Sequence, residues 1–119
     1  MDHNSICPVF RVSMGKSSFL IPGDATQSVW QELIAYNGAK IRSNGILLPH
    51  NGSSQSISKK ILEQILYPGA FPAVYQPEKR WGFPQKETLD LVTKKGGILI
   101  NVERRPAHIR LDPERLELQ

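Results

Sequence analysis

Two short stretches carry residue types that could do chemistry, Gly23-Asp24 and Pro49-His50-Asn51-Gly52-Ser53. Each follows an apolar run, Phe19-Leu20-Ile21-Pro22 in the first case and Ile46-Leu47-Leu48 in the second. A carboxylate at a strand end is held by the sheet and points off its edge, which suits a metal ligand. The glycine before it lets the backbone turn sharply. A histidine at the same kind of position can offer a neutral imidazole to zinc. Each residue also has a structural reading. Asp24 precedes Thr26, the expected N-cap of the next helix, where negative charge favours the helix dipole. A lone histidine is ordinarily a satisfied structural residue.

The elements that must position these residues follow from pattern. Ile6 to Val12 is an apolar, β-rich run whose Pro8 favours a sheet edge. Ser18 to Pro22 is a second short strand, and Met14-Gly15-Lys16 between them makes a hairpin. Gln27 to Tyr36 has apolar residues at helical spacing and ends at Asn37-Gly38. Gly45 to Pro49 reads as a buried strand, and His50 to Ser54 as a loop. The spacing predicts a helix over about Ser58 to Leu66 and a strand over Ala70 to Tyr75. An irregular loop, Gln76 to Pro84, precedes a helix over about Lys86 to Lys94. Ile98 to Val102 is a strand, and Ala107 to Leu111 another. The order β-β-α-β-α-β-α-β-β predicts an α/β layer structure. Residues 1–111 form one domain, followed by a charged tail at 112–119 that is expected to fray.

Taken together, the two motifs and the later Trp81-Gly82-Phe83-Pro84 are similar to the metallo-β-lactamase-fold hydrolases. The nearest likeness is to the C-terminal domain of the DNA-uptake competence protein ComEC and its soluble relatives. Their pattern runs from an Asn-x-x-Ser-type strand start through Leu-Leu-Thr-Gly-Asp and Pro-His-His-Gly-Ser to Tyr-Gly-His-Pro. The matching segments are Asn4-Ser5, Phe19 to Asp24, Leu48 to Ser53 and Trp81 to Pro84, so the resemblance extends over about Asn4 to Ile109. It implies the C-terminal half of an αββα sandwich, a mixed sheet with helices on one face. In the family two metal ions, usually zinc, sit at one edge of the sandwich. Asp24 would match the bridging carboxylate, and His50 and Asn51 the histidine pair. A metal-bound hydroxide attacks a phosphodiester or ester bond.

The departures from that pattern are specific. The family's principal cluster, His-x-(His or Asp)-x-Asp-His, does not occur in the sequence, whose histidines are His3, His50 and His108. Asn51 stands where the second histidine belongs, and Phe83 where the Gly-His-Pro histidine belongs. A catalytic zinc takes about three protein ligands and an open position; Asp24 and His50 supply two. Zinc is therefore expected to be weakly bound, or absent without a partner half, and the chain to be inactive alone with no catalytic residue assigned. A lone half-sandwich would expose the inward face of its sheet. The expected partner is a second copy in a homodimer or a complementary N-terminal half.

Composition narrows the setting. The chain has 119 residues, 39% hydrophobic and 22% charged, a globular composition of one-domain size. No window approaches the roughly 20 apolar residues that span a bilayer, and the polar start has no signal-peptide pattern. Cys7, the single cysteine, reads as a small buried hydrophobe, and a cytoplasmic location is expected. The net charge of +4 includes the pairs Lys59-Lys60, Lys79-Arg80, Lys94-Lys95 and Arg104-Arg105. That excess keeps a non-catalytic interaction or nucleic-acid-binding module open as the alternative.

Overall fold

A computed structural model describes residues 9–104, 109–114 and 116–118. Strands β1 (Phe10–Met14) and β2 (Ser17–Ile21) form an antiparallel hairpin, with Val12 opposite Phe19. Helix α1 (Gln27–Asn37) leads to β3 (Gly45–Leu47), α2 (Lys59–Ile65) to β4 (Phe71–Tyr75), and α3 (Lys86–Lys94) to β5 (Gly97–Asn101). Strands β2, β3, β4 and β5 are parallel neighbours in chain order, so the mixed five-stranded sheet runs β1-β2-β3-β4-β5. The β1 strand is an edge, as Pro8 suggested; Ile6 to Pro8, with Cys7, lies outside the described residues, as does His108.

Local signals account for the helix boundaries. Thr26 caps α1, its Oγ1 accepting from the Val29 N–H at 3.5 Å, and Gly38 closes the helix at φ 57°. Ser58 Oγ accepts from the Ile61 N–H at 3.2 Å and starts α2. All three helices contribute to one core. Trp30 from α1, Ile61, Leu62 and Ile65 from α2 and Val92 from α3 pack with Leu20, Ile46 and Ala73 of the sheet. Strand register places these sheet residues on one face, because Leu20 pairs with Ile46 and Ile46 with Ala73. Parallel strands laid down in one direction with crossovers of constant hand put every helix on the same side.

The opposite face is apolar and carries no helix among the described residues. Register assembles Phe10, Val12, Met14, Phe19, Ile21, Leu47, Pro72, Val74, Ile98 and Ile100 there. Phe10 is 58% exposed, Met14 49% and Ile98 48%.

Strands β6 (Ile109–Leu111) and β7 (Leu116–Leu118) pair antiparallel, so the charged segment at the end of the sequence includes a paired strand. Pairing satisfies N–H and C=O groups that local sequence leaves open. The connection between these strands is tied to the β1–β2 turn. The Lys16 N–H donates to the Pro113 carbonyl at 2.6 Å, and Ser17 Oγ donates to the Asp112 carbonyl. No helix among the described residues is long and apolar enough to cross a membrane.

Candidate functional site

The carboxyl ends of β2, β3 and β4 lie side by side, and the three motif segments leave the sheet there. Crevices outside the carboxyl ends of parallel strands are the usual ligand sites of open α/β sheets. The first two motifs meet through backbone, the His50 N–H donating to the Gly23 carbonyl at 2.9 Å. The third reaches them through rings: His50 and Phe83 stand edge to face with centroids 5.1 Å apart. Asp24 and His50 are both exposed on this edge.

The turn bearing His50 is held in an unusual backbone state. His50 (φ 49°, ψ 44°) and Asn51 (φ 50°, ψ 30°) are consecutive left-handed residues, followed by Gly52 at φ 92°. Left-handed backbone is unfavourable for residues with a Cβ, though asparagine tolerates it better than most. The turn persists because its surroundings fix it. Gln85 N–H donates to the Gly52 carbonyl at 3.1 Å, Gln85 Oε1 accepts from the Ser54 N–H at 2.6 Å, and Gly52 packs against Pro84. Asn51→Gly removes the Cβ penalty at an exposed position. It is expected to change stability by less than about 1 kcal/mol, in the stabilising direction, because added unfolded-state freedom offsets part of the relief; urea denaturation measures it.

A groove of about 500 Å³ opens beside the histidine. It is lined by Thr26, Gln27 and Ser28 at the start of α1, by Ser53, Gln55 and Ser56 after the His50 turn, and by His50, Phe83 and Gln85. Sequence reasoning picked out His50 and, as a cap, Thr26. It missed the serine and glutamine lining, for which the signals were the polar run Ser53 to Ser56 and the Gln27-Ser28 pair after the cap.

The donor set can be compared with what zinc requires. Among the described residues no three His, Cys, Asp or Glu side chains come together. Asp24 and His50 lie on touching turns, and His50 has the Asn51 amide next to it in the chain and the Phe83 ring edge to face against it. Two ligands do not make a catalytic zinc site, which takes about three from the protein, so the described residues do not fit a catalytic zinc by themselves. No family model, curated protein or solved structure matches the chain.

Proposed function

We propose that this chain is the C-terminal half of a metallo-β-lactamase-fold hydrolase, degenerate in its ligands and inactive alone. The parent chemistry is metal-dependent hydrolysis of a phosphodiester or ester. One observation carries this reading: the Gly23 carbonyl and the His50 N–H join at 2.9 Å, so Gly-Asp and Pro-His-x-Gly-Ser share one sheet edge in the order the family has them. The helix-free apolar face also supports it. That face is where the other half of an αββα sandwich would lie, supplied by a complementary N-terminal half or, in a homodimer, by a second copy.

Zinc titration of the wild type, Asp24→Ala and His50→Ala tests the metal reading. The expected result is weak uptake, lost in both variants, and uptake strengthened by Asn51→His with an added imidazole. Equal uptake by the wild type and both alanine variants would leave no residual site.

The exposed Phe10, Val12, Met14 and Ile98 favour a second reading, a non-catalytic interaction module on the same fold. Covering the half of each side chain that is exposed is worth on the order of 1 kcal/mol apiece. Light scattering after size exclusion distinguishes a self-associating chain from a monomer, and Val12→Lys with Ile98→Lys is expected to dissociate the former. A nucleic-acid module, by contrast, would bind DNA with an affinity that falls steeply with salt.

A further inference from the structure

We infer that a hollow where α2 and α3 end, on the opposite edge of the sheet from His50, binds a small phosphate monoester; this site stands apart from the hydrolase reading. The chain runs into β3, β4 and β5 along that amino-terminal edge. Backbone draws the three leading loops together there. The Ser43 N–H donates to the Ile65 carbonyl at 2.9 Å, the Tyr67 N–H to the Ser43 carbonyl at 3.1 Å, and the Phe71 N–H to the Gly96 carbonyl at 3.3 Å. A Cβ on Gly96 would stand 2.9 Å from the Gly69 carbonyl oxygen, so only glycine permits that last approach. The hollow has a volume of about 410 Å³, within the range of small-molecule sites. Among the described residues lining it are three cations, Arg42, Lys94 and Lys95, and one carboxylate, Glu63.

Charge and an orphaned donor together select the ligand. Glu63 is already paired with Lys95, so Arg42 and Lys94 have no ion-pair partner among the described residues. Two uncompensated cations match a phosphate monoester, which carries about −1.5 to −2 charges at pH 7. A carboxylate or a phosphodiester brings a single charge per group. Lys94 also has a structural reading, because a cation in the last turn complements the carboxyl end of α3. That reading does not extend to Arg42, whose Nε is enclosed with no hydrogen-bond acceptor. Buried polar groups ordinarily have a partner. A guanidinium presents Nε and one Nη as a fork to two oxygens of one oxyanion. Seating a phosphoryl group requires Arg42 to turn that fork to the hollow, and no hydrogen bond or ion pair among the described residues holds its side chain elsewhere. Its backbone, by contrast, is fixed: the Arg42 carbonyl accepts from Arg11 Nε at 3.2 Å and Nη2 at 2.8 Å. Tyr67 and Pro68, both exposed in the same lining, offer apolar surface to the organic body of the ester.

Phenyl phosphate is the probe, added to the whole chain, with benzoate, inorganic phosphate and a single-stranded oligonucleotide lacking terminal phosphates as comparisons. Backbone amide shifts locate binding, and calorimetry gives the affinity. Phenyl phosphate is expected to saturate shifts at residues 42–43, 66–69 and 94–96, with a Kd on the order of millimolar. It should bind about fivefold more tightly than benzoate, which lacks the second charge, or inorganic phosphate, which lacks the apolar body. Arg42→Lys keeps the charge but loses the fork, and is expected to weaken binding about tenfold. Lys94→Gln, at an exposed position, is expected to weaken it about threefold. Lys86→Gln removes the same charge at the start of α3, away from the hollow, and should leave binding unchanged. The inference is overturned if phenyl phosphate does not saturate these shifts, or if any of the three comparison compounds binds there as tightly. It is equally overturned if Arg42→Lys and Lys94→Gln both bind like the wild type. A loss in Lys86→Gln equal to that in Lys94→Gln would also overturn it, because net charge alone would then account for the binding.

Discussion

Replacing Gly52 by alanine is expected to destabilise the protein by about 2–4 kcal/mol, from positive-φ strain and overpacking together. Gly52 has φ 92°, outside the regions L residues ordinarily adopt. A Cβ there would collide with the Pro84 Cβ and lie 2.9 Å from its Cα. Backbone rather than a flexible side-chain end stands in the way, so relief requires the Pro84 segment to move. That segment is continuous with Phe83, which stacks edge to face on His50, and with Gln85, which holds Ser54. The substitution should therefore loosen the groove as well as lower the denaturation midpoint. Urea denaturation monitored by circular dichroism gives the first effect, and amide shifts at 50–56 and 83–85 the second. A midpoint within error of wild type would mean that this contact does not constrain the two loops.

Trp30→Ala is expected to cost about 3–5 kcal/mol, the usual range for deleting a buried aromatic side chain. Trp30 is fully buried and is the largest side chain that α1 places in the core. Its indole Nε1 is also buried with no hydrogen-bond partner among the described residues. An unsatisfied donor carries a desolvation cost, about 1–3 kcal/mol for a neutral group. Trp30→Phe removes that donor while keeping much of the ring, so it should cost clearly less than its lost volume alone suggests. Thermal denaturation of the two variants separates these effects. If Trp30→Phe were as damaging as Trp30→Ala, shape would dominate and the orphan donor would be irrelevant. Because Thr26, Gln27 and Ser28 sit at the start of the same helix, Trp30→Ala should also shift the groove lining.

The Lys95–Glu63 ion pair is a weaker contributor. The hydrogen bond from Lys95 holds the Glu63 carboxyl below its usual range. A carboxyl depressed in the folded state stabilises above its unfolded pKa, and that stabilisation is lost as pH falls through the folded value. The pair is solvent-exposed, so its effect is small beside those of Gly52 and Trp30.

Much of the architecture was legible in the residues themselves. Thr26 and Ser58 mark helix starts because their hydroxyls accept N–H groups within one turn, and Gly38 marks an end because it adopts positive φ. Phe19-Leu20-Ile21 and Ile46-Leu47 are apolar runs that needed a sheet, and the motifs at their ends were visible as text. Capping, turn chemistry and apolar periodicity act over a few residues, so a sequence contains them directly.

Other features required the folded chain. That Gly23 touches His50, and His50 touches Phe83, follows from β2, β3 and β4 being parallel neighbours whose carboxyl ends align. Strand order and register depend on pairing between distant segments, which no local pattern encodes. The left-handed state of His50 and Asn51 is likewise imposed, because Pro84 and Gln85 hold the turn from another loop. Leu116–Leu118 became a strand only by pairing with Ile109–Leu111. The sequence alone therefore determined which residues could act and the order in which they appear. Tertiary structure decided which of them meet: two candidate ligands on touching turns beside a neutral, hydroxyl-lined groove, with the far face of the sheet left apolar.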